Sequence, residues 1–322
     1  MAATLLSCLN LCSSALPCQS NLGSLNTPRL PPYINGPHPG GSLTPWGPRN
    51  ASSCIPYDIS AIPNTGVTRR YAWTVTNTTL SPDGVELSML VVNGVFPGET
   101  IEANWGEWIE VAVTNGLEDW DTLHGRHTRG NAMSYCLSKT FTYRIRAELC
   151  ETSWWHGHYS AQYVNGISGA IFIHGPSSDK SYDIDVEPVL LTDWFHDFYD
   201  NLIIDVFYAT ETGIPHFPPM ANNMLINGKN NYPCANATGG HTCTPNAGLA
   251  SFKFESGKKH RLRLINHAAE ALVFFSIDGY EMTVIANDFV SVVPHQTDLV
   301  QTGVGQRTDV IVTGRNNSKE SV

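Results

Sequence analysis

His156 and His158, separated only by Gly157, are the residues whose types and spacing most directly suggest chemistry. On an extended strand, side chains alternate between faces, so residues at i and i+2 point the same way and both imidazoles arrive at one spot. Neutral imidazole is the commonest protein ligand for borderline metals such as copper and zinc, and a glycine between the two adds no bulk. Trp154, Trp155, Tyr159 and Tyr163 surround the pair with rings that would limit solvent access and hold the imidazoles in place. A His-x-His on a strand is also met as an ordinary pair of surface or core-edge histidines, so spacing alone leaves both readings open.

The elements that must position this pair are short strands. Tyr71, Trp73 and Val75 alternate with Ala72, Thr74 and Thr76; Ile109, Val111 and Val113 alternate with Glu110, Ala112 and Thr114; Phe141, Tyr143 and Ile145 alternate with Thr142, Arg144 and Arg146. Glu86 to Val92 adds another candidate after a turn over Ser81 to Gly84. Asn93-Gly94, Pro97-Gly98 and Asn115-Gly116 punctuate the rest as an antiparallel sandwich pattern. After the histidines, Gly166 and Gly169 lead into the apolar Ala170 to Ile173, read as a turn and a buried strand. A second unit opens near Asp183. Its one helix is expected over Asp193 to Ala209, from Trp194, Phe198, Leu202, Ile203 and Val206 at helical spacing, followed by strands over 224–226, 250–254, 261–265, 274–277, 282–285 and 308–312. The fold class is therefore all-β, two consecutive sandwiches over 67–178 and 183–322. A Pro/Gly-rich arm over 21–66 precedes them, since its prolines exclude a long helix or central strand.

Composition narrows the function classes. With 29 acidic against 19 basic residues and a net charge of -10, the chain lacks the clustered Lys and Arg that nucleic acid or an anionic membrane surface requires. Lys258, Lys259, Arg261 and Arg263 form one short basic cluster, read as the solvated face of a strand. No run approaches the roughly 20 apolar residues of a membrane-spanning helix. Residues 1–20 resemble a signal peptide, although the basic n-region is missing, and sequons at Asn50, Asn77, Asn236 and Asn316 fit a secreted glycoprotein. Of eight cysteines, Cys8, Cys12 and Cys18 fall in that leader. Cys234 and Cys243 could close a short loop, and Cys150 reads as a buried free thiol rather than a thiolate ligand.

An ordered set of segments resembles the multicopper oxidases, and within them the fungal laccases of ascomycete type: VNGVFPGETIEANWGEWIEV, FTYRIRAELCETSWWHGHYSAQYVNGISGAIFIHGP, INGKN, HRLRLINHAAEALVFFSIDGYEMTVIANDFV and VGQRTDVIV. The resemblance covers nearly everything from Tyr71 to Thr313. It implies consecutive cupredoxin-like Greek-key β-sandwiches, copper as cofactor, and oxidation of phenolic substrates coupled to reduction of dioxygen to water. By this resemblance His156 and His158 match the second His-x-His pair of a trinuclear copper cluster. His124 matches the type 2 ligand, and Asp193, in LTDWFH, matches the acid that receives the phenolic proton.

Two departures accompany it. In Leu123-His124-Gly125-Arg126-His127 the family's partner histidine is replaced by Arg126, and His127 is one residue out of register, which on a strand points it to the opposite face. The sequence also carries no His-Cys-His run, and it stops at Val322, short of a complete second and of any third sandwich. The chain alone is thus expected to bind copper weakly without turnover and to associate through an exposed sheet edge. The alternatives are a non-catalytic copper-binding protein and a secreted carbohydrate-binding sandwich that stacks sugars on exposed aromatics.

Overall fold

The computed structural model of the chain describes residues 30–35, 44–49, 59–117, 123–126, 132–135, 138–176, 181–212 and 219–315. The leader, the sequons at Asn50 and Asn316, and His127 lie outside the described residues.

Among the described residues, nine strands build the first unit: β1 (Thr68–Leu80), β2 (Leu87–Val92), β3 (Ile101–Asn104), β4 (Trp108–Asn115), β5 (Leu123–Arg126), β6 (Ala132–Tyr135), β7 (Thr140–Arg146), β8 (Glu151–His156) and β9 (Ser168–His174). One sheet runs β2-β1-β4-β7 and a second β3-β9-β8, while β5 and β6 pair with each other. The alternation in the sequence decides which side faces in: Tyr71, Trp73 and Val75 of β1 and Ile109, Val111 and Val113 of β4 are buried. They meet Ile101, Ala103 and Ile173 of the opposing sheet in one core. Each such side chain stabilises by about 1.5–3 kcal/mol on full burial.

The second unit contains β10 (Ile184–Asp185), β11 (Val189–Trp194), α1 (Tyr199–Thr212), β12 (Asn223–Ile226), β13 (Lys259–Asn266), β14 (Val273–Phe275), β15 (Met282–Asn287), β16 (Val290–Thr297), β17 (Val300–Thr302) and β18 (Arg307–Thr313). Its main sheet runs β12-β11-β13-β18-β15-β16, with β10 also on β13; β14 and β17 form a small sheet. Val273 and Val300 from the small sheet pack with Leu262, Leu264, Val284 and Val310 from the large one.

Several expectations are corrected. The pairing is mixed rather than antiparallel: β1 with β4, β3 with β9, and β11 with β10's neighbour β13 run parallel, because alternation reports which face is buried and not which strand lies alongside. Asp193 and Trp194 belong to β11, and the helix begins at Tyr199. Val189 to Trp194 is buried at every position between β12 and β13, and a short strand buried on both faces cannot be told from a helix by periodicity. Residues 250–254 form no strand. Lys258 and Lys259 are exposed as expected, but Arg261 and Arg263 are 2% and 1% exposed. Cys150 is disulfide-bonded rather than a free thiol, and Cys234 and Cys243 are joined as expected.

The two units meet through apolar and polar contacts. Val85, Met89 and Phe96 of the first pack with Trp194 and Leu225 of the second. Beside them the buried Asp83 carboxylate accepts hydrogen bonds from His196 Nε2 at 2.9 Å and Asn223 Nδ2 at 3.0 Å. Burial opposes its ionisation, but the hydrogen bonds from His196 and Asn223 win and hold the carboxyl below its ordinary range. A carboxyl whose folded value lies below its unfolded one, ~3.9, contributes stability that is fully present above that value. The contribution is lost as pH falls through the folded value. Asp83→Asn is expected to lower stability at pH 7 by roughly 1–3 kcal/mol and to flatten the acid limb of the stability profile, measured by urea unfolding from pH 7 downward. An unchanged acid limb would show that Asp83 does not couple the units.

Candidate metal site

β8 is the strand that presents the histidines, and it does so because its two faces carry different residues. It pairs antiparallel with β9, placing Trp154 opposite Ala170, Trp155 opposite Gly169 and His156 opposite Ser168. Trp155 turns into the first core, where its ring lies 4.4 Å from that of Trp73 and its Nε1 donates to the Glu99 carbonyl at 2.9 Å. A side chain at Gly169 would collide with that indole, its Cβ lying 2.7 Å from Trp155 Cζ2, so glycine there lets the large ring seat. Trp154 and His156 take the other face and stack on each other at 4.3 Å and 22°.

His158 continues the same face beyond the end of β8. Its ring lies 5.5 Å from that of His156 at an interplanar angle of 25°, so the i, i+2 alternation does bring the two imidazoles together. Two rings each bonded at ~2 Å through one nitrogen to a small metal centre span about this distance. The intervening Gly157 is buried: its N–H donates to the Ile167 carbonyl at 2.9 Å, and a Cβ would lie 3.2 Å from the Ile167 side chain. His156 Nδ1 lies 2.8 Å from the Gly157 carbonyl. A carbonyl can only accept, so Nδ1 carries the proton and Nε2 the lone pair, a tautomer that suits metal ligation through Nε2. Tyr163 closes one side, with its ring 5.3 Å from His156.

The other expected residues are placed differently. His124 lies on β5, opposite Ser134 of β6, and its side chain and that of Arg126 are outside the described residues. Among the described residues no group of three or more His, Cys, Asp or Glu side chains is arranged to hold a metal ion. The donor set shown is therefore a pair, and it fits a copper ion in ligand type, spacing and tautomer. Asp193 is buried near the end of β11. Its Oδ1 accepts from the Ala269 N–H at 2.8 Å, and its Oδ2 accepts from Glu270 and Ala271 at 2.9 and 3.0 Å. It anchors the turn after β13, and its negative charge, with that of Glu270, adds to burial in raising the Tyr163 hydroxyl above its ordinary pKa.

His267 was not anticipated, because a lone histidine in NHAAE carries no spacing signal. It is buried behind Trp154, its ring 6.3 Å away, and its Nδ1 is 3.1 Å from Ser168 Oγ. Burial, then the proximity of His156, pushes its pKa down to about 3, so it is neutral across the physiological range.

Two multicopper oxidase family models match the chain, over residues 74–178 and 185–321. Laccase-2 of Botryotinia fuckeliana is 38% identical over 269 residues, covering 80% of this chain and 44% of that protein. A laccase of Neurospora crassa is 40% identical over 268 residues, covering 78% and 40%. The crystal structure of laccase from Botrytis aclada superposes with a TM-score of 0.71 at 34% identity, covering 84% of this chain and 52% of that one. The chain spans about two fifths of the length of the curated relatives it matches.

Asp193→Asn would place an amide N–H against a backbone N–H in the turn over 269–271. It is expected to destabilise the chain by about 1–3 kcal/mol while leaving copper affinity unchanged. Urea unfolding paired with copper titration checks this; a loss of affinity without a loss of stability would contradict the anchoring role.

Proposed function

The chain belongs to the multicopper oxidase family, and from that premise we propose that it forms the first two sandwiches, over 67–178 and 183–322, of a laccase-like oxidase of phenols. The observation that carries the proposal is the facing of His156 and His158 at the end of β8, with His156 held in the tautomer that leaves Nε2 for a metal. These two, with His124, are the residues proposed to hold copper. Bound copper would supply one-electron redox chemistry and the means to reduce dioxygen. The protein's own part is to orient: Trp154 stacks behind His156, Gly157 lets the strand end pack on Ile167, and Tyr163 screens one side from water. Asp193 is proposed, on the family match, as the acceptor of the phenolic proton. Three of its roughly four lone-pair positions are already taken by backbone N–H groups, which leaves one to accept.

Secretion is part of the same proposal. The Cys234–Cys243 bridge and the bonded Cys150 are expected of an oxidising compartment, Asn236 is exposed, and among the described residues no helix is long and apolar enough to cross a membrane. Association is proposed through β16, an edge strand with Val290 and Val293 exposed. The carbohydrate-binding alternative draws no support from Trp154 and Trp155, both of which are engaged in packing.

The 322-residue chain, produced under oxidising conditions, is expected to bind copper and not to consume oxygen with a simple phenol. His156→Ala and His158→Ala should each weaken copper binding at least roughly tenfold, about 1.4 kcal/mol. Copper content per chain and oxygen-electrode traces decide it. Copper retained undiminished in both variants would contradict the assigned site, and steady oxygen uptake would contradict the view that these residues are part of a larger set.

A further inference from the structure

β8 is held along its length by side chains of the second unit. At its first residue, the Glu151 carboxylate is bonded by both Arg261 and Arg263, the latter at 2.9 Å. At the next, Thr152 Oγ1 accepts from Arg263 Nη1 at 2.8 Å, and its carbonyl accepts from Arg307 Nε at 3.2 Å. Two residues on, Trp154 Nε1 donates to the Gly305 carbonyl at 3.3 Å. Arg261 and Arg263 are in turn tied within the second unit to Asp309, and Arg263 to Asp185 at 2.7 Å.

Glu151 also has a backbone φ of +100°, a region that side-chain-bearing residues rarely adopt and that glycine occupies freely. If the position served only to start a strand, glycine would be the unstrained choice. A glutamate stands there despite that strain, and its carboxylate is the first-unit carboxylate bonded to two buried guanidinium groups.

We infer that Glu151 is a positioning residue for the copper ligands: the arginine pair of the second unit grips its carboxylate, sets the direction in which β8 starts after Cys150, and so fixes where His156 points. The second unit, which contributes no expected copper ligand, thereby controls the metal affinity of the first. This rests on the assignment of His156 as a ligand, but the mechanical coupling from Glu151 along β8 does not.

The test compares Glu151→Gly, which relieves the backbone and removes the charge, and Glu151→Gln, which removes the charge alone, with Asp83→Asn, which weakens a different polar contact between the units without touching β8. Amide hydrogen exchange over 152–158 and titration with copper alone are measured on each full chain. Both Glu151 variants should speed exchange in that segment and weaken copper binding by about tenfold, the size that removing a group behind a ligating histidine has on affinity. Asp83→Asn should do neither, whatever it costs in overall stability. Equal exchange in all three variants would overturn the inference, as would failure of both Glu151 variants to fold, since the carboxylate would then serve the fold at large. A wild-type chain that binds no copper would refute the ligand assignment instead and leave exchange to decide the coupling.

Discussion

Two guanidinium groups buried between the sandwiches set the terms for the rest of the molecule. Removing an ion from water costs several kcal/mol even after relaxation, so Arg261 and Arg263 can lie at 2% and 1% exposure only with carboxylates beside them. Asp185 and Asp309 of the second unit match the two guanidinium charges in number, and Glu151 of the first unit adds a third carboxylate that bridges both arginines. Burial penalises the charged carboxylate of Glu151, yet the two arginines hold its pKa below the ordinary range, and those of both arginines are raised in return. Breaking such a group on one side typically costs about 3–5 kcal/mol, because the remaining charge stays buried.

From that constraint the position of the histidines follows. β8 is the end strand of the β3-β9-β8 sheet among the described residues, and an end strand is otherwise free to fray. Here the second unit covers it through Arg263, Arg307 and the Gly305 carbonyl, while Trp155 locks its inner face against Trp73. On the outer face Trp154 stacks on His156, which orients that ring, while His158 lies exposed just beyond the strand end.

The histidine pair and the strands that alternate one buried with one solvated residue were legible from sequence, because period 2 fixes the face without reference to partners. What was not legible depended on partners. Asp193 and Trp194 read as helical because their burial comes from β12 and β13 on either side. Arg261 and Arg263 read as a solvated face because Glu151 lies 110 residues from Arg261 and no local pattern announces that it neutralises them. Parallel pairing of β1 with β4 is likewise a fact of long-range proximity. His267 gave no signal, since a single histidine is read from its surroundings alone.

The central claim is that the end of β8 delivers a two-imidazole donor set to copper. X-ray absorption fine structure at the copper edge, on the full chain carrying no more than one equivalent of copper, tests it most directly. The account predicts nitrogen scatterers at about 2 Å with the outer-shell pattern of at least two imidazoles, falling by one in His158→Ala. A spectrum dominated by oxygen or sulfur scatterers, or one unchanged in His158→Ala, would contradict it.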